Sequence, residues 1–228
     1  MIGRGGVVST SVGVGFATGL YGISFGALAT AAGLSFWQAM ALSLLMFSGG
    51  SQFAIIGVLG TSGVAGAVPA VISAWLLGVR NGFYALRLNS VLHISGVTKL
   101  LAAQLTIDES NAVSAAQDQE RERRIGFWLT GAAVFVFWNL CTGLGAVLGQ
   151  SVGDPRNWGL DAAAAAAFLG LIWPRLQASG QARLVAAIAA LLALGMTPVL
   201  PSGVPVVAAS LLAVLLGNFI VRLRGRRG

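Results

Sequence analysis

Long stretches of apolar sequence with almost no charge are the feature that most limits what this chain can fold into. The first run spans residues 7–33, the second spans 36–60, and the third begins near Val64 and continues past Arg80. A bilayer core of about 30 Å is crossed by about 20 helical residues, and each run is long enough. Only 9% of the residues are charged, whereas a soluble domain has about a quarter. The sequence therefore predicts an all-α, polytopic membrane protein.

The later part of the chain predicts further spans. Apolar runs cover residues 125–152, 162–173, 184–200 and 204–221, and the second of these is short. Together the runs predict about seven transmembrane helices, some of them broken, in a single transporter domain of residues 1–228. Glycine- or proline-broken segments in both halves are compatible with an inverted repeat.

Residues 89–124 differ from the rest because they hold most of the acidic side chains. They are predicted to form a charged cytoplasmic or interfacial connection between two halves. The first part of this segment mixes apolar and polar residues, so it is expected to lie along the membrane as an amphipathic helix. Thr106 followed three residues later by Glu109 has the capping-box pattern, so a new helix is expected to start there.

Clusters of arginine predict how the chain is oriented in the membrane. They lie at residues 121–124, before the fourth run, and at residues 222–227, after the last. Basic residues beside spans mark the cytoplasmic side, so both clusters and the C-terminus are expected there. Three crossings before residue 121 then place the N-terminus outside, opposed only by Arg4. The net charge of +7 therefore indicates membrane lipid as a partner and does not indicate nucleic acid.

A glycine-rich polar segment interrupts the second run. It reads Ser48-Gly49-Gly50-Ser51-Gln52-Phe53. Interrupted helices in transporters expose backbone groups that bind substrates and ions. Close packing through small residues, with a satisfied glutamine, is the other interpretation. Gln52 favours binding slightly, and replacing it with Ala is expected to impair transport while the protein stays folded.

The third run contains an arginine within a predicted span. Arg80-Asn81 is followed by Tyr84 one helical turn later, on the same face. An arginine inside a span marks function or a specific partner, and Arg80 can grip a substrate carboxylate. Alternatively, its long side chain can extend to the cytoplasmic interface. Both interpretations stay open.

The first run carries a stripe of small residues. Gly15, Gly19, Gly22 and Gly26 are three or four positions apart and share one helix face. Helix packing is the first explanation for the stripe. A substrate-binding surface that includes Gly22, Phe25 and Gly26 is the second.

Residues for catalysis are scarce. The chain has one histidine and one cysteine, and no span carries a pair of carboxylates. Metal-ligand clusters and nucleotide-binding glycine loops are missing, and residues 49–53 fail the G-x-S-x-G pattern at Phe53. We therefore expect no enzyme activity, no metal site and no cofactor. Transport is favoured, and a non-transporting membrane scaffold or regulatory subunit is the main alternative.

The same segments resemble the AzlC family of branched-chain amino acid permeases. The similar stretches are Gly22-x-x-Phe25-Gly26, Ala32-Gly33-Leu34-Ser35, Phe47-Ser48-Gly49-Gly50-Ser51-Gln52-Phe53, Arg80-Asn81-x-x-Tyr84 and Leu105-Thr106-Ile107-Asp108-Glu109. They cover roughly the first half of the chain, and the last stretch is longer than the usual T-D-E element. The resemblance implies an ion-driven secondary transporter that exports branched-chain and related hydrophobic amino acids across the bacterial cytoplasmic (inner) membrane. It also implies a small AzlD-type membrane subunit as a partner.

The residues that we expect to bind substrate come from these segments. They are Gly22, Phe25, Gly26, Ser48, Gly49, Gly50, Ser51, Gln52, Phe53, Arg80, Asn81 and Tyr84. Broken helices near Gly22 and Gly49 are expected to satisfy the carboxylate and ammonium of an amino acid. No central carboxylate suggests itself as the coupling-ion site, and Asp108 and Glu109 are expected mainly to cap a helix.

Overall fold

The structure is a computed structural model and describes residues 4–151, 169, 172–173, 176–200 and 204–225. Every regular element in these ranges is helical, which confirms the predicted fold class. The elements are α1 (Arg4–Ala31), α2 (Phe36–Leu45), α3 (Gly49–Ser62), a 3₁₀ turn (Gly63–Gly66), α4 (Ala67–Leu92), α5 (Val97–Gln104), α6 (Asp108–Ala115), α7 (Glu120–Ser151), α8 (Gly180–Met196) and α9 (Val204–Gly225). The short span expected at residues 162–173 falls mostly outside the described residues.

Helices α1 and α7 pack side by side and run in the same direction. Gly15 of α1 lies against Ala133 of α7, and further along both helices Ala27 lies against Gly149. Glycines bring the two backbones into direct contact, as small residues do where membrane helices associate. We call the end where both helices begin the first end of the bundle, and the end where they finish the second end.

The second apolar run folds back on itself. Near the second end, the Ser43 hydroxyl donates to Thr142 Oγ1 at 3.3 Å. The chain then moves toward the first end, where the rings of Phe47 and Phe135 are 5.0 Å apart between centroids. Helix α3 returns, so that Gly60 lies beside the residue that follows α1. Helices α2 and α3 therefore form a first hairpin that enters from the second end.

Helix α4 is the next long helix and runs in the opposite direction to α1 and α7. The turn at Gly63–Gly66 reverses the chain at the second end, so that the Ser51 hydroxyl of α3 donates to the Ala74 carbonyl of α4 at 2.8 Å. Near the other end of α4, the Val91 carbonyl accepts from Arg124 Nε at 2.9 Å. Because Arg124 lies near the start of α7, α4 finishes at the first end.

Helices α5 and α6 form a second hairpin, which enters from the first end. Leu105, just after α5, lies against Gly131, about 16 Å along α7. Helix α6 then runs back toward the first end, where Val113 contacts Gly126 of α7. The tip of this hairpin therefore lies inside the bundle. Of the segment that is expected to lie along the membrane, the last residue, Leu105, reaches this tip.

The two hairpins give the first six helices an inverted arrangement. Helix α1 precedes a hairpin that enters from the second end, and the oppositely directed α4 precedes a hairpin that enters from the first end. The inverted repeat suggested by the broken segments was expected between the first three spans and a later three. The inverted arrangement seen here lies instead within the first six helices, and its unit is one long helix plus one hairpin. Because the second run turns back, α1 begins at the same end as Arg121–Arg124. The expected placement of the N-terminus on the opposite side is therefore wrong.

Three described stretches are long and apolar enough to cross a membrane, namely Gly6–Ala31, Gly49–Leu92 and Glu120–Ser151. The middle stretch includes α3, the 3₁₀ turn and α4, and only α4 is by itself long enough to cross a bilayer. The second predicted span is replaced by two shorter helices, so the expected count of about seven is not confirmed. Later in the chain, α8 and α9 pack against each other, and α9 also contacts α4.

Side chains near the second tip satisfy the backbone groups that the break leaves without helical partners. Ser110 Oγ accepts from the Ile107 N–H at 3.1 Å and donates to the Leu105 carbonyl at 2.6 Å. The Thr106 hydroxyl donates to the Ala102 carbonyl of α5 at 2.6 Å. A helix does start here, at Asp108. The expected capping box is wrong, because the hydroxyl of Thr106 is directed away from α6.

The packing of α1 on α7 predicts the effect of a single methyl group. In Gly26→Ala, the new Cβ would collide with backbone atoms of Thr142 and Ala146. Overpacking of this kind costs about 1–3 kcal/mol, so the thermal unfolding midpoint in detergent should fall. Gly13→Ala is the control on the same helix, because a Cβ there meets nothing within 4 Å. Equal midpoints for the two variants would contradict the backbone contact.

Candidate functional site

A cavity of about 370 Å³ lies where the tips of the two hairpins meet. Its volume falls within the range of small-molecule sites, about 300–1,000 Å³. The tips are joined directly, because Gln104 Nε2 of the second hairpin donates to the Leu44 carbonyl of the first at 2.7 Å. Both tips and three long helices supply the lining: Ser48, Gly49, Gly50, Phe47 and Phe53 from the first hairpin, Ile107, Asp108 and Glu109 from the second, Thr18 and Tyr21 from α1, Arg80 and Asn81 from α4, and Val134 and Trp138 from α7.

Gln52 holds the first tip together. Its side chain is fully buried, and its Nε2 donates to the carbonyls of Leu42 at 3.1 Å and Met46 at 2.9 Å. Its Oε1 accepts from Trp138 Nε1 at 3.0 Å. The two carbonyls lie at the end of α2 and also accept from backbone amides, Leu42 from the Met46 N–H at 3.0 Å and Met46 from the Ser48 N–H at 2.6 Å. Gln52 therefore stabilises the break in the helix and forms no part of the cavity wall.

The N-terminus of α3 faces the cavity without a side-chain cap. Ser48 precedes the helix in an extended conformation, and its hydroxyl donates to Ser51 Oγ at 3.2 Å instead of capping the helix. The first amides of a helix have no intrahelical partners and carry a partial positive charge. Gly49 and Gly50 have no side chains that would cover these amides. This part of the cavity therefore favours an anionic group.

An ion pair connects α4 with the second tip. Arg80 Nη2 lies 2.6 Å from Asp108 Oδ2, and the Tyr84 hydroxyl donates to Asp108 Oδ1 at 2.7 Å. Because Arg80 and Tyr84 are one helical turn apart, α4 presents both to the same carboxylate. The exposed fractions of the Arg80 and Asp108 side chains are only 25% and 20%. Arg80 is therefore directed toward the second hairpin, and its guanidinium charge is compensated there.

Two buried polar atoms at the cavity have no hydrogen-bond partner within the described residues. They are Arg80 Nε, a donor, and Asn81 Oδ1, an acceptor. Most buried polar atoms in proteins have a partner, so unpaired ones require an explanation. Both atoms are themselves shielded from the cavity, although other atoms of the two residues line it.

Glu109 is the second carboxylate at the cavity. Burial raises the pKa of the Glu109 carboxyl above its ordinary value, its own backbone N–H lowers the pKa, Asp108 raises it further and Arg80 lowers it. The net direction is upward because burial is the largest of these causes. Among the residues that the structure describes, Glu109 forms no ion pair. Its charge is therefore less compensated than that of Asp108.

Part of the remaining wall of the cavity is apolar. Phe53 and Trp138 are in edge-to-face contact, with ring centroids 6.3 Å apart. Trp138 is only 4% exposed and Val134 only 2%. Aromatic pairs in this geometry stabilise one another beyond their buried area. The cavity thus combines an anion-binding helix end, two carboxylates and a hydrophobic wall.

The structure brings together six of the residues predicted to bind substrate. Those that line the cavity are Ser48, Gly49, Gly50, Phe53, Arg80 and Asn81. Ser51, Gln52 and Tyr84 lie behind the wall and hold lining residues in place. The other three are elsewhere: Gly22 and Gly26 pack against α7, and Phe25 is fully buried in the core. Packing was the first explanation for the glycine stripe, and the structure agrees with it.

Several lining residues were not predicted as site residues. Asp108 and Glu109 are the main ones, because their position at the start of a helix was explained by capping. The segment 105–109 had been singled out by the family resemblance, which was the one signal available for them. Tyr21 and Trp138 enter the lining only because α1 and α7 are neighbours in space, which the local sequence does not reveal.

The fold and the cavity define the class of the protein, a multi-pass helical membrane protein with a polar site enclosed by broken helices. The family described as AzlC protein matches residues 13–152, which is more than half of the chain. The chain therefore belongs to the AzlC family, a transporter family associated with branched-chain amino acids. No curated protein matches the chain, and no solved structure does.

The role of Gln52 predicts a loss of stability. In Gln52→Leu, the Trp138 N–H and the carbonyls at the end of α2 lose a partner inside the protein. An unsatisfied buried polar group costs about 1–3 kcal/mol, so the thermal midpoint in detergent should fall clearly. Gln150→Leu, at an exposed position of α7, is the control. A stable, well-folded Gln52→Leu protein that has lost only transport would instead support the earlier expectation of a direct ligand.

Proposed function

We propose that this protein is a secondary transporter that exports branched-chain and related hydrophobic amino acids, and that the cavity between the hairpin tips is its substrate site. The observation that carries the proposal is the combination of an uncapped helix N-terminus, acidic side chains and an apolar wall around one cavity. These are the groups that a zwitterion with an aliphatic side chain requires, because each of its charges must be satisfied when water is removed.

The carboxylate of the substrate binds at the start of α3 in this proposal. The amides of Gly49 and Gly50 donate to it, and the partial positive charge of the helix end adds to the attraction. Discontinuous helices hold anionic substrate groups in this manner in other transporters.

The ammonium group of the substrate binds on the side of the second tip. Glu109 is the carboxylate available to it, because Asp108 already accepts from Arg80 and Tyr84. Binding of the zwitterion therefore draws the two hairpin tips toward one ligand.

The side chain of the substrate packs against Phe53, Val134 and Trp138. Burial of each methylene contributes about 0.8 kcal/mol. Leucine, with three more carbon atoms than alanine, should therefore bind more tightly by about 2 kcal/mol. A cavity of about 370 Å³ fits a free amino acid better than a larger peptide.

The orientation, the membrane and the partner complete the proposal. Arg121–Arg124 lies at the first end, so we place that end in the cytoplasm of a bacterial cell, together with the C-terminus. Export and the requirement for a small AzlD-type subunit follow from the family resemblance. The membrane is the cytoplasmic one, and an ion gradient supplies the free energy of transport.

The direct test is efflux of preloaded leucine, isoleucine and valine from proteoliposomes that contain the protein with and without its small subunit. We expect efflux that depends on an ion gradient and favours leucine over alanine. Absence of efflux from correctly inserted complex, for every hydrophobic amino acid tested, would contradict the proposal. That result would favour a non-transporting scaffold.

Arg80 provides a sharper test at the level of one residue. In Arg80→Gln, Asp108 loses its ion pair and the cavity loses a donor, so leucine efflux should fall by at least about tenfold, equal to 1.4 kcal/mol. Arg87→Gln is the matched control, because Arg87 is an exposed arginine on the same helix. Size-exclusion profiles establish that both variants are folded. Equal efflux by the two variants would exclude Arg80 from the site.

A further inference from the structure

The two carboxylates of the second tip are adjacent in sequence but differ in their surroundings. Asp108 is neutralised, because Arg80 Nη2 lies 2.6 Å from one of its oxygens and the Tyr84 hydroxyl donates to the other. Glu109 lines the same cavity and forms no ion pair within the described chain. The cavity therefore contains one negative charge that a cation from outside the protein can neutralise.

We propose that Glu109 is the coupling-proton site of the transporter, and that a proton and the ammonium group of the substrate compete for its carboxylate. The inference rests on the proposed function, because it assumes that the substrate is a zwitterion bound in this cavity. It adds the coupling ion and the residue that binds it. In each cycle, the carboxylate releases its proton when the substrate ammonium arrives and takes up a proton when the substrate leaves.

Competition follows from the charges around the cavity. When Glu109 is protonated, a substrate ammonium has no uncompensated anion to bind, because Asp108 is already paired with Arg80. When Glu109 is ionised, its carboxylate attracts the ammonium, and the bound ammonium restores neutrality in the cavity. One carboxylate therefore accommodates either cation but not both, which makes the transporter a proton/amino-acid antiporter.

The other charged or titratable side chains around Glu109 come from three helices. Asp108 lies on its own helix, Arg80 and Tyr84 lie on α4, and Tyr21 lies on α1. From α7, the cavity is lined by the neutral side chains of Val134 and Trp138, and from α3 by uncharged residues. Burial raises the pKa of the Glu109 carboxyl above its ordinary value, which favours uptake of a proton there.

The sign of the pH dependence follows from the competition between the proton and the ammonium for one carboxylate. Above the pKa of Glu109 the carboxylate is ionised, so leucine binds most tightly and its affinity does not change with pH. Below the pKa a proton must leave before leucine binds, so the apparent Kd should rise by about tenfold for each pH unit. Binding of leucine should then release up to one proton for each molecule bound.

The first experiment measures proton release by the wild-type complex. Leucine is added to the purified protein, with its small subunit, in a lightly buffered detergent solution that contains a pH indicator. Release of a proton on leucine binding, increasing as the starting pH is lowered through the pKa, supports the proposal. Binding of leucine without proton release at any pH overturns it. Absence of leucine binding would remove the proposed function, and this inference with it.

The second experiment assigns the proton to a residue. Glu109→Gln should show weakened leucine binding that no longer changes with pH and releases no proton. Glu122→Gln, which removes a carboxylate outside the cavity lining, should behave as the wild type. Retention of the wild-type pH dependence by a folded Glu109→Gln protein overturns the assignment. If Glu109→Gln does not fold, Glu109→Asp serves instead, and an unshifted pH midpoint overturns the assignment.

Discussion

The requirement that every backbone amide and carbonyl within a membrane finds a partner is the constraint on which this structure depends. A helix can stop in the middle of a bundle only if other groups satisfy its ends. At the first tip, Gln52 bonds to the carbonyls of Leu42 and Met46, and at the second tip Ser110 bonds to both sides of the break. The amides at the start of α3 are the groups left for a ligand. The proposed substrate site thus lies where the hydrogen bonding of the backbone is incomplete.

The long helices serve to bring the incomplete ends together. Glycines of α1 and α7 place the two backbones in contact, which fixes the frame against which both hairpins pack. Within that frame, Gln104 of the second hairpin bonds to the Leu44 carbonyl of the first, and Arg80 of α4 pairs with Asp108. A ligand between the tips interacts with units that enter from opposite ends. Changes in its charge can therefore be communicated to both hairpins.

Part of this arrangement was predictable from the sequence, and the reasons for the remainder are physical. Apolar runs predict helices in a membrane, and the segment that begins at Ser48 predicts an interrupted helix because glycines and polar side chains disfavour a straight span. Whether an interrupted run continues across or turns back depends on long-range contacts, such as that of Gly60 with the end of α1. Because the second run was expected to cross the membrane, the start of α1 was predicted on the wrong side. The role of Asp108 was missed for a similar reason, since its partner Arg80 lies far away in sequence.

Side accessibility of the loops tests the central claim that the two hairpins enter from opposite ends. Single cysteines at Ser35, Ala65, Ser95 and Asp118, in a Cys141→Ala background, are labelled in intact cells with a membrane-impermeant thiol reagent. The first two positions should label from one side of the membrane and the last two only from the other. Labelling of the cysteines at Ser35 and Ala65 from opposite sides would mean that the second run crosses the membrane, and it would contradict the account.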